Sequence, residues 1–440
     1  MSVFSLGTHP TTVLQDPSAD PSCQWSQQLN VQERNGFPLQ LTRIVAGSND
    51  ITSQIQQIFG TTRLAPYGAL AGKLCWTGIS APQSSTLTVD ATTEGGGIIR
   101  VSAAPAFRGP AASVIPLSAS PAQVTLSVPD SSRTVTASLG LVFTGSATET
   151  WNLNVFPANR TTSWLTVLPL SGVGPAQLSI QASAAGLAKG VYHATLIVNS
   201  PNTTPAYINV PVVLVVGASP TTNITSVTNG ASSRSDFAPG MLLNVAGDDL
   251  APSFGREKTA PLGLAMSGVS ATVNGVSAPL YSISPNLLNV QIPYEIGTGT
   301  AVLGVNNNGR VSSYTFQVAA SAPGIFTAED GSLVPSAAGA RGQPLTLYIT
   351  GDGEQLPPLA NGAAPVSGTP VARLPKARLP VSLTVGGVAA TIQFSGIPTG
   401  SVGVTQIDFT IPQTAPLGSQ AVVVTVGGVA SPPANLTVTP

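Results

Sequence analysis

Histidine and cysteine, the side chains best suited to general-base, nucleophilic and soft-metal chemistry near neutral pH, occur only twice each in this chain, as His9, His193, Cys23 and Cys75. A Ser-His-Asp hydrolase needs an imidazole beside a nucleophilic hydroxyl and a carboxylate to orient it. His9 falls in an N-terminal segment expected to be mobile. His193 follows Tyr192 inside a strand, so one of the two points outward, and an exposed or half-buried histidine is the expectation there. No Gly-x-Ser-x-Gly elbow and no His-Glu-x-x-His pair occurs. Two cysteines and two histidines this far apart do not make a zinc set. Glycoside hydrolysis needs two facing carboxylates, and none of the 18 acidic residues is marked as such a pair. The expectation is no catalytic residue, no cofactor and no metal.

Three weaker chemistries remain. Asp248-Asp249 and Asp352-Gly353-Glu354 each follow a glycine, and such acidic loops either contribute to a calcium site, which needs six to eight oxygens, or form solvated turns with Asp at its favoured positions. Trp151, Trp164, Tyr192 and Tyr207 are candidates for stacking on sugars, with core packing the expected role of Trp164 at least. Cys23 and Cys75 form either a disulfide, worth about 4 kcal/mol in the chain-entropy model, or two buried thiols. A disulfide would fit an oxidising compartment.

The elements that must position these residues are strands. The apolar share is 42% and the charged share 8%, with 45 Gly and 39 Pro spread along the chain. That pattern suits many short strands and turns. A net charge of -1 without a basic stripe argues against nucleic acid. The start has neither a basic n-region nor an apolar h-region. No apolar run approaches the roughly 18 residues of a membrane helix. A soluble chain is expected, either intracellular or the mature or truncated form of an exported protein. Val124–Val128, Ala194–Val198 and Ala421–Val426 read as strands. Asn35-Gly36, Asn274-Gly275 and Asn308-Gly309 read as hairpin turns. Ile51, Ile55, Ile58 and Phe59 share one helical face, which predicts one short helix near 50–59 with Asn49 or Asp50 as its cap. Pro/Ala/Ser-rich joints at Ala104–Pro116, Gly217–Pro220 and Ala320–Gly324 predict stiffly joined domains at 1–112, 113–218, 219–322 and 323–440.

The strongest organisational signal is a duplication. Val269-Ser-Ala-Thr-Val-Asn-Gly-Val matches Val381-Ser-Leu-Thr-Val-Gly-Gly-Val, and both copies continue to an alternating strand closing on Ile292-Pro293 or Ile411-Pro412. Upstream, Pro239–Gly247 parallels Gly342–Gly351. The fold class expected is all-β, a tandem of immunoglobulin-like sandwiches.

Phe237-Ala-Pro-Gly, Val245–Pro252, Val273-Asn-Gly and the Ile292-Pro293 strand resemble an IPT/TIG-type immunoglobulin-like domain. Ser284-Pro-Asn, Ala322-Pro-Gly-Ile-Phe, Tyr348-Ile-Thr-Gly and Gly400–Gln406 make 221–440 similar to a C-terminal module of secreted acidobacterial proteins. The acidic Asp352-Gly353-Glu354 stretch departs from that pattern. Trp164-Leu165, Gly186–Tyr192 and Ile208–Val215 make 113–218 similar to a BACON-type domain. These resemblances imply no catalytic residues. The tandem sandwiches, the repeat and the missing catalytic set lead to the expectation of a non-enzymatic extracellular or cell-surface array, serving as a spacer, adhesion element or protein-interaction scaffold. The alternative is a carbohydrate-binding or substrate-targeting part of a larger secreted enzyme. Partners would then be polysaccharide, cell-surface glycan or other proteins.

Overall fold

The computed structural model describes residues 3–111, 115–145 and 148–440. Residues 112–114, within the Ala104–Pro116 joint and at the expected 112/113 border, lie outside the described residues. The chain is all-β, with strands following one another along its length and, among the described residues, one short α-helix, Ile55–Phe59, preceded by a 3-10 turn over Thr52–Gln54. Its strands form immunoglobulin-like sandwiches around four separate hydrophobic cores. By contact density the chain divides into two compact units, Met1–Ser219 with Gly309–Ser312, and Pro220–Asn308 with Ser313–Pro440.

In the first unit, Phe4–His9, Trp25–Glu33 and Ala69–Trp76 pair antiparallel. They face a second sheet built on Leu39–Ala46, Leu87–Thr93 and Ile98–Ala103. The helix packs on this core through Ile55, Ile58 and Phe59. Asp50 does not cap the helix. It accepts from the backbone N–H and hydroxyl of Thr52 at 3.0 and 2.6 Å, turning the chain one step earlier. Asn35-Gly36 is not a hairpin turn, because the strands it joins belong to different sheets. The buried Glu33 carboxylate gathers the N–H groups of Asn35, Gly36 and Tyr67 at 2.6, 2.7 and 2.8 Å and fixes that crossover. His9 is also not mobile, since it pairs with Gln28 in register.

The second sandwich sets Leu165–Leu168, Ala176–Ser183, Thr134–Phe143 and Ile115–Ser120 against Val124–Val128, Tyr207–Val216, Gly190–Asn199 and Thr150–Phe156. Val124–Val128 runs parallel to Val212–Val216.

The duplication is visible in the topology of the second unit. One copy orders Asn223–Asn229, Leu242–Asp248, Leu287–Gln291 and Leu280–Ile283 in one sheet, while the other orders Gly324–Ile325, Pro344–Thr350, Thr405–Thr410 and Thr391–Gly396. In the opposing sheets Val269–Val273 pairs with Gly299–Asn307, and Val381–Val385 with Gly418–Val426. The tight turns after them close as the sequence predicts, Val273 onto Val276 and Val385 onto Val388. Asn274 and Gly275 both take the left-handed conformation, at φ 47° and 75°, which a two-residue hairpin loop requires.

Candidate ligand groove

The residues singled out for chemistry are dispersed and mostly structural. Trp151 and Trp164 are buried in the second core, their indole N–H groups donating to the carbonyls of Gly174 and Thr161 at 3.0 and 2.9 Å. Neither is a sugar platform. Tyr192 packs partly on the same core and its hydroxyl donates to the Ala188 carbonyl. Tyr207 is half-buried. Cys23 and Cys75 are bonded, with Cα atoms 4.7 Å apart. Cys75 lies on the exposed face of its strand, so the alternative of two buried thiols does not describe this pair.

Both histidines are held in strands with lowered pKa, His9 by burial, which outweighs the opposite effect of its hydrogen bond with Asn199, and His193 by burial alone to about 4. A lowered folded value means that the unfolded chain binds the proton first, so stability is lost as pH falls through the window from about 6.5 to about 4. We expect His193→Gln to reduce the dependence of melting temperature on pH in the upper part of that window, leaving the share carried by His9. A wild-type slope retained in the variant would refute this.

The two acidic loops are not alike. Asp249, at φ 51°, accepts from the Thr221 and Thr222 hydroxyls at 3.0 and 3.1 Å and from Asn307. Asp352 is buried, raised above the usual carboxylate range by that burial, and accepts from Thr405 at 2.7 Å. Glu354 is fully buried with Arg378 at 3.1 Å. These carboxylates are engaged by protein donors. No cluster of three or more His, Cys, Asp or Glu placed to hold a metal is present among the described residues.

What the fold does assemble is a groove of about 640 Å³ between the two copies of the second unit. From the first copy, Asn244 and Asn289 occupy outward positions of adjacent strands, with Tyr281 at their edge. From the second, Tyr348 and Gln406 do the same, flanked by Phe326 and the 398–402 loop. Strand alternation accounts for this: Leu243 and Val245, Leu347 and Ile349, Ile407 and Phe409 point into the cores, so their neighbours point out. The amides are oriented. Ser282 donates to Asn289 Oδ1, and Asn289 Nδ2 donates to Asn244 Oδ1 at 2.6 Å, which leaves the Asn244 NH₂ as a donor. Gln406 Nε2 donates to both oxygens of Asp408 at 2.9 and 3.0 Å, which leaves its carbonyl as an acceptor. Arg256 holds Tyr281 by a 3.1 Å bond to the phenol oxygen and lies 5.1 Å from the ring centroid. Outward polar positions on aligned strands of both copies were the signal for these residues; their meeting was not encoded locally.

No family model matches the chain, and no curated protein matches it. Among solved structures it is similar to a Bacteroides ovatus GH5 xyloglucanase at 17% identity and TM-score 0.19, covering 24% of this chain and 20% of that enzyme. It is similar to the SGBP-B protein of the Bacteroides ovatus mixed-linkage glucan utilization locus, solved with a mixed-linkage heptasaccharide, at 13% identity and TM-score 0.28, covering 74% of this chain and 70% of that one. It is also similar to extracellular cadherin domains 3–6 of protocadherin gamma B2 at 14% identity and TM-score 0.18, covering 97% of each chain. Likenesses this low carry no argument about ligand or partner. No helix among the described residues is long and apolar enough to cross a membrane.

Proposed function

We propose that the chain is a non-enzymatic extracellular or cell-surface array of immunoglobulin-like modules, with borders near 112/113, 218/219 and 322/323, acting as a spacer, adhesion element or protein-interaction scaffold. The observation that carries this reading is the pinning of neighbouring modules by side chains. Asn361, in the loop 357–375 of the last module, accepts from Tyr294 N–H at 2.9 Å and donates to Glu295 at 2.7 Å. Next to it, Gly362 N–H donates to the fully buried Gln291 at 2.7 Å, and Leu262 N–H donates to the Gly362 carbonyl at 2.8 Å. Ser321 donates to the Val426 carbonyl at 2.8 Å. In the first unit, Asn209 donates to Gln28 at 2.6 Å and Ala158 N–H to Gln32 at 2.7 Å. Such joints hold modules in set orientations, as a scaffold requires. The Cys23–Cys75 bond supports an oxidising compartment.

The full chain is expected to turn over none of a panel of chromogenic glycosides, esters and peptides. Activity that survives repurification and is abolished by a point substitution would overturn the reading. Asn361→Ala removes two hydrogen bonds, one of them to a carboxylate, each worth about 1–3 kcal/mol. Limited proteolysis should then cut within 357–375 at least tenfold faster than in the wild type. An unchanged rate would show that the pin does not hold the loop.

The second reading, a carbohydrate-binding accessory region of a larger secreted enzyme, is favoured by the groove between the two copies.

A further inference from the structure

We propose that the groove between the repeat copies is a binding site for a neutral glycan chain. The proposal deepens the interaction-module reading by naming a ligand class and a site.

The groove's size falls within the range of about 300–1,000 Å³ typical of ligand pockets. Its lining combines the two things a sugar requires. A pyranose ring presents an apolar C–H face and a rim of hydroxyls that both donate and accept. Tyr281, Tyr348 and Phe326 offer aromatic surface, large and stiff with only two side-chain torsions each. Asn244 offers an oriented donor from one copy and Gln406 an oriented acceptor from the other. A hydroxylated chain lying between them would satisfy both.

Charge argues against other ligand classes, since Arg256, the cation beside Tyr281, is turned to that residue's hydroxyl and ring. No Lys, Arg, Asp or Glu is among the residues lining the groove. Asp408, beside the lining residue Gln406, is engaged by that amide and by the Thr346 hydroxyl at 2.6 Å. Phosphates and nucleic acids are bound through cations, and acidic glycans need the same. An uncharged ligand is the one that loses least on entering such a lining. A smaller cavity of this unit, about 270 Å³, is bordered by Phe237, Val318, Val429 and Pro432 and carries the carboxylate of Asp236 beside Gln317, so it lacks the uncharged lining of the groove.

The test is affinity electrophoresis of the full chain in gels containing hydroxyethylcellulose, xylan, galactomannan or glycogen, with heparin as the charged control. At least one neutral polysaccharide should retard the chain and heparin should not. Tyr281→Ala and Tyr348→Ala should each weaken retention about tenfold, and Tyr348→Phe should keep it. Ser401→Trp, a substitution on the half-buried groove loop, should block binding without touching either core. This variant keeps the test decisive if the tyrosine variants melt early. Failure of all four polysaccharides to retard the chain would overturn the proposal, as would retention by heparin alone or retention unchanged in Ser401→Trp. None of these results touches the module-array reading. Conversely, cleavage of a bound glycan would refute the non-enzymatic reading and leave the groove as its site.

Discussion

Replacing Cys23 and Cys75 together by serine is expected to destabilise the first sandwich by about 4 kcal/mol. The bond spans 52 residues, and closing a loop of that length in the unfolded chain is what the bond contributes. The native side of the balance changes little. Cys75 sits in register with Ser26, and Trp25 with Trp76, so the strands stay paired without the bond. Cys75 faces outward and leaves no core cavity when its sulfur goes. The calorimetric transition of the first sandwich should therefore shift down by about 15 °C, using a few degrees per kcal/mol for a domain of this size, and reduction of the wild type should reproduce the shift. Transitions of the other sandwiches should stay in place. An unmoved thermogram would show that the bond adds nothing to folding.

The second large effect is expected at Arg378. Arg378→Met should cost about 3 kcal/mol in the last sandwich, because Glu354 is fully buried and the substitution removes the cation paired with it. The figure sits at the lower end of the range for broken buried pairs because Arg378 itself is 24% exposed. The double variant Glu354→Leu with Arg378→Met should recover most of the loss, since an apolar pair needs no desolvation of charge. Urea unfolding of the four proteins of this cycle measures the coupling. A single variant as stable as wild type would mean that Glu354 is neutralised by other donors.

The repeat and the sandwich class were legible because they rest on local pattern. Val-x-x-Thr-Val followed by Asn-Gly or Gly-Gly is a strand and a turn wherever it occurs, and the structure closes both turns as expected. The misreadings share one cause, a partner distant in sequence. His9 looked mobile because its strand partner, Gln28, lies beyond two intervening turns. Asn35-Gly36 looked like a hairpin because nothing local shows that its flanking strands enter different sheets. Glu354 looked like an open acidic loop because Arg378 arrives from beyond the long loop. Trp151 was alternately readable as platform or core, and only the carbonyl of Gly174, from another strand's end, decides it. The groove shows the same limit. That Asn244, Tyr348 and Gln406 point away from their cores follows from alternation. That the two outward surfaces meet follows from the Asn361 and Gln291 contacts, which no local pattern carries.

One recurrent pairing has a mechanical consequence. Early and late strands run side by side in the same direction in three of the sandwiches, Thr12–Leu14 with Ala106–Arg108, Val124–Val128 with Val212–Val216, and Ala338–Ala340 with Thr437–Thr439, while the third sandwich along the chain has a single parallel bridge between Phe237 and Val318. Tension applied through the ends of a module pulls such strands past each other along their length. Their hydrogen bonds are then loaded together in shear and must fail as a group, whereas an unzipping geometry breaks them singly. Such a seam is longest in the second sandwich, where five residue pairs would share the load, and is reduced to one bridge in the third.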